Sequence, residues 1–80
     1  TDEAVQIAGV NVYPPRIRAV VLTCPLVADA DIYAKGNAGV TQLYGAIRLR
    51  HLTDDNRDAC LRWLREHLSA PEIPKNLYLY

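Results

Sequence analysis

Residues 26–50 read LVADADIYAKGNAGVTQLYGAIRLR, and this stretch decides the fold. Leu26, Ala28, Ala30, Ile32 and Ala34 fall on one side of a two-residue period; Asp29 and Asp31 fall on the other. That pattern predicts a half-buried strand over Leu26–Ala34. Thr41–Arg50 alternates again, with Leu43, Gly45, Ile47 and Leu49 facing inward and Gln42, Tyr44, Arg48 and Arg50 outward. Lys35-Gly36-Asn37-Ala38-Gly39 between them reads as a turn. A short glycine-rich link between two alternating runs predicts an antiparallel pair.

Helical signals flank this pair. Pro15 suits a first helical turn, where its missing N–H costs nothing. After it, Ile17, Val20, Val21 and Cys24 lie at i, i+3, i+4 and i+7, which predicts a helix over Pro15–Thr23 that Pro25 stops. Thr53 is a good N-cap for a second helix over Thr53–Leu68, with Asp54 and Asp55 at its positive end. Asn56, Ala59/Cys60, Trp63/Leu64 and His67/Leu68 form its core stripe. Ser69–Pro74 reads as a loop, and Asn76–Tyr80 as a last strand. At the other end, Ala4–Ala8 and Val10–Tyr13 are β-rich around Gly9, as a small hairpin or a bent strand. The expected fold is a small α+β domain in β-α-β-β-α-β order: a three-stranded sheet, two covering helices and an N-terminal β-hairpin. Its expected core is Ile17, Val20, Val21, Ala30, Ile32, Ile47, Leu49, Cys60, Trp63, Leu64 and Leu77.

Composition limits the function. Eighty residues make one domain near the small end of what holds a core unaided. Lys+Arg 9 balances Asp+Glu 9, so charge argues for neither a nucleic-acid nor an anionic-membrane partner. The longest uncharged run, Ala19–Ala28, is broken by Pro25 and too short to span a bilayer. The start, Thr1-Asp2-Glu3, lacks the basic-then-apolar form of a signal peptide. Two cysteines are too few for a disulfide scaffold, so the expectation is a cytoplasmic, reduced protein. Neither His51 nor His67 has partners at metal-ligand spacing. Cys24 and Cys60 read as small buried hydrophobes, and Asp29 and Asp31 as solvated outer-face carboxylates. No glycine-rich phosphate loop of the required spacing is present. No catalytic and no metal residue is assigned.

One segment carries a recognisable word. Val5-Gln6-Ile7-Ala8-Gly9-Val10-Asn11-Val12-Tyr13-Pro14 resembles the hinge-and-loop motif of the adenylate-forming (AMP-binding) ligase superfamily. That superfamily includes acyl-CoA and aryl-CoA synthetases, adenylation domains of nonribosomal peptide synthetases, and luciferases. Gly9–Pro14 is most similar to the Gly-Val-Asn-Val-Phe-Pro of phenylacetate-CoA ligases. Ile17–Ala30 resembles the family's Val-Glu-Glu-Val-Leu-Leu-Ser-His-Pro-Gly-Val-Ala-Asp-Ala. Leu61–Lys75 is similar to its Leu-Arg-x-x-Leu helix followed by Val-Pro-Lys. The words run in the family's order along essentially the whole chain.

The resemblance implies a mobile C-terminal lid domain. A large N-terminal adenylation domain would bind ATP, Mg and the carboxylate. The small domain would rotate about a hinge, to which Asp2 corresponds, and present a loop to the pantetheine of CoA or of a carrier protein, to which Gly9 corresponds. Glycine suits that role, because the backbone can approach a ligand closely there. The family's catalytic lysine lies in a Pro-x-x-x-Gly-Lys motif beyond the strand matched by Asn76–Tyr80, so residues 1–80 would be inactive alone. Lys75 matches a different family position. Gln6 and Ala8 stand where relatives carry lysine, and Arg16 and Arg18 where they carry glutamate. The alternative is a free-standing, non-catalytic module of the same fold that docks on a partner or carrier protein. An in-frame upstream ATP-binding domain in the parent gene would favour the ligase.

Overall fold

The computed structural model describes residues 4–80, the side chain of Asn37 excepted. Strands β1 (Val5–Ile7) and β2 (Val10–Val12) form an antiparallel hairpin. Helix α1 (Pro14–Val21) follows, then β3 (Val27–Asn37), β4 (Val40–Leu49), α2 (Asp54–His67), a 3-10 turn at Ala70–Glu72, and β5 (Asn76–Leu79). The second sheet has the order β3-β4-β5, with β3 antiparallel and β5 parallel to the central β4. The expected α+β class and element order hold.

The hairpin between β3 and β4 is tighter than the sequence suggests. Pairing runs out to Asn37↔Val40, so the expected five-residue turn contracts to Ala38-Gly39. Both residues have positive φ (53° and 78°), the requirement of a two-residue type I′ turn whose twist matches its strands. Gly36 imposes no break and pairs with Thr41 in the ladder. The start of β3 also differs. The register shifts between Val27 and Asp29, so Ala28 is an extra residue, and Val27, which shares the side of Asp29 and Asp31 in the two-residue period, is buried opposite Leu49.

A proline pair marks the start of α1 and a side-chain cap the start of α2. Prolines 14 and 15 occupy the first turn of α1. The Thr53 hydroxyl accepts from the Asn56 N–H (3.0 Å) at the start of α2. Helix α1 ends at Val21, two residues before the expected end, and Cys24 is buried in the turn that follows. Along the edge strand, the Arg18 guanidinium donates from Nε to the Ala30 carbonyl (2.7 Å), using an acceptor outside the helices and near the open sheet edge.

One hydrophobic cluster joins the hairpin (Ile7, Val12), both helices (Ile17, Val21, Cys60, Leu64) and the inner face of the sheet (Val27, Ala30, Ile32, Leu43, Ile47, Leu49). Three expected core members are only partly buried: Val20, Trp63 and Leu77. Trp63 stands at the flank of the stripe and stacks on His67, ring centroids 3.9 Å apart. A ring that large covers the core edge without fitting between helix and sheet. The outer sheet face carries the stacked pairs Tyr33–Tyr44 (5.5 Å) and Tyr78–Tyr80 (5.4 Å).

Candidate functional site

Asp2 lies outside the described residues. Gly9 sits at the tip of the β1–β2 hairpin with φ +79°, after Ala8 at φ 51°. Register pairing of Ile7 with Val10 makes Ala8-Gly9 another two-residue turn with positive φ at both positions. The hairpin alternative, not the bent strand, is therefore the observed one. Gly9 is exposed, and a Cβ built there meets no atom within 4 Å. Its backbone is open to an approaching molecule.

Beside this turn lies a largely apolar groove of about 400 Å³. Ile7, Ala8 and Val10 form its hairpin wall. Val40, Thr41 and Leu43, at the start of β4, form a second wall. The third is the segment after α2: Ala70, Pro71, Ile73 and, at the rim, the exposed Lys75. Three elements distant in sequence thus meet next to Gly9.

The third wall is held by Glu72. Its Oε1 accepts from the Ser69 N–H and the Ser69 hydroxyl, both at 2.9 Å. Its Oε2 accepts from Arg16 Nη1 at 2.6 Å. The Ser69 backbone N–H, helped by its hydroxyl and by the Arg16 guanidinium, holds the Glu72 carboxyl below the usual glutamate value despite partial burial. Reading Ser69–Pro74 as a loop missed this. The available signal was Ser69-Ala70-Pro71-Glu72, the serine-to-glutamate spacing of a capping box. The long-range tie to Arg16 had no sequence signal.

The other candidates are structural. Cys60 is fully buried; burial, with the Cys24 thiol beside it, pushes its pKa up to about 11. A thiol so held is a poor nucleophile. Asp29 is exposed and pairs with Arg18 (3.3 Å), and Asp31 is exposed on the same face. The His51 carbonyl accepts from the Asn56 amide (2.9 Å), and His67 stacks on Trp63. Among the described residues no group of three or more metal-ligating side chains converges, and no helix is long and apolar enough to cross a membrane.

No family model and no curated protein matches the sequence. Solved structures do match the fold. The amide bond synthetase McbA from Marinactinospora thermotolerans superposes with a TM-score of 0.72 at 19% identity, covering 99% of this chain and 16% of that one. The anthranilate CoA ligase AuaEII, solved with anthranoyl-AMP, gives 0.77 at 12% identity over 96% of this chain and 16% of its own. The o-succinylbenzoate CoA synthetase MenE from Bacillus subtilis, solved with its acyl-adenylate intermediate, gives 0.73 at 19% identity, with 96% and 16% covered. The chain therefore spans about one sixth of the length of these enzymes (16% in each case). By fold, this chain is similar to a small part, about one sixth, of these synthetases and ligases.

Proposed function

We propose that the chain is the mobile C-terminal domain of an ATP-dependent acyl- or aryl-CoA ligase. In the first half-reaction a carboxylate would attack the α-phosphate of ATP, giving acyl-adenylate and pyrophosphate. In the second a pantetheine thiol would attack the acyl carbonyl and release AMP. The observation that carries this reading is the fold match, nearly complete over this chain yet confined to 16% of each ligase. A domain so small beside its relatives has its ATP, Mg and carboxylate sites elsewhere, on a large partner domain. This chain would contribute to the second half-reaction. The Gly9 turn would offer its backbone to the pantetheine arm, whose apolar stretches suit the adjoining groove. Asp2 would be the flexion point between the two poses, and proline there would hinder the rotation by fixing φ.

The test is Gly9→Leu in the full-length protein, with each half-reaction followed separately. Leucine adds a bulky side chain and strains a backbone at φ +79°. Thioester formation should slow while ATP–pyrophosphate exchange continues. Thioester formation at the original rate would remove the role given to Gly9.

A further inference from the structure

We propose that Glu72 is a positioning residue for the groove beside Gly9, fixing the wall that a thiol acceptor would lie against, with Arg16 as its anchor on α1. This rests on the reading of the Gly9 turn given above. The wall at Ala70–Lys75 belongs to no long element. Its own backbone supplies only the bonds Glu72 N–H to Ser69 O (3.0 Å) and Ile73 N–H to Ala70 O (3.3 Å). A single turn held by such bonds is marginal by itself. What fixes it is the Glu72 carboxylate, which has both oxygens engaged and a side chain only 16% exposed. Charge-assisted hydrogen bonds to an ionised group are the stronger kind, and three of them converge here.

The anchor joins the two walls that flank the groove. Arg16 lies in the first turn of α1, which continues from β2 through Tyr13 alone. The hairpin carrying Gly9 and the turn carrying Ala70, Pro71 and Ile73 are thereby tied across the fold, and β2 also packs directly against that turn. Without the tie, the third wall could shift relative to the Gly9 backbone. A glutamate at position 16 would set like charges together and open the contact with Glu72.

Steady-state kinetics of the full-length protein tests this, with coenzyme A and free pantetheine as acceptors. Glu72→Gln and Arg16→Glu should each raise the KM of both acceptors roughly tenfold. The effect should fall on the thioester step and not on ATP–pyrophosphate exchange. Arg16→Lys keeps the charge and should rescue most of the loss. Unchanged acceptor KM in Glu72→Gln, in a protein where Gly9→Leu does block thioester formation, would overturn the proposal and leave the function standing. Equal loss in both half-reactions would also overturn it, since Glu72 would then only support the fold. If Gly9→Leu has no effect, the reading of the turn falls and this proposal with it.

Discussion

Gly45 lies directly across from Leu77 on neighbouring parallel strands, and Leu77 Cδ1 fills the space that a Cβ on Gly45 would need, 3.0 Å away. Pro74 Cγ and Ile32 Cδ1 crowd the same point at 3.1 and 3.2 Å. The glycine lets β5 and the segment before it close over the centre of the sheet. Gly45→Ala should destabilise the domain by about 1–3 kcal/mol, the usual cost of overpacking. Urea denaturation should show a lower midpoint with an unchanged slope.

Ala38 occupies a left-handed conformation at φ 53° in the β3–β4 turn, where an alanine Cβ is strained. Asparagine tolerates that region and is preferred at the first position of a type I′ turn. Ala38→Asn should stabilise the domain by roughly 0.5–1 kcal/mol. Thermal unfolding should rise by a few degrees; a fall would show that the turn has another geometry.

Glu72 gives a pH signature. Its carboxyl is held below the usual glutamate value, so its contribution to stability is present above the ordinary value of 4.5 and disappears as pH falls through the lower folded value. Wild type and Glu72→Gln should differ in melting temperature at pH 6 and converge in strong acid. A constant difference across that range would mean that the glutamine acts through something other than lost charge.

Cys60 responds in the opposite window. Burial raises its pKa from 9.0 to about 11, so the folded state keeps the proton longer than the unfolded chain does. The resulting stability is complete below the ordinary thiol value and is lost as pH rises through the folded one. Iodoacetamide should label the native domain at pH 8 only as fast as it opens, and urea should abolish the protection. Fast labelling of Cys60 in the native state would contradict its burial.

Element type and order were legible in the sequence because each rests on local physics. The period of two in residues 26–50, the i, i+3, i+4, i+7 run from Ile17, and the Thr53 cap each act within a few residues. The alternation could not reveal the extra residue at Ala28, since a bulge is defined only by the partner strand, here the Arg48–Leu49 step. Nor could it show that β5 lies parallel to β4, or that Trp63 stays at the edge of the core while Val27 is buried within it. The same division holds at the candidate site. Gly9 was marked by its neighbours in sequence, and its positive φ follows from a two-residue turn. The groove beside it and the Arg16–Glu72 tie join residues far apart along the chain. Only closure of the tertiary structure brings such groups into contact, because no periodicity encodes which distant segments will meet.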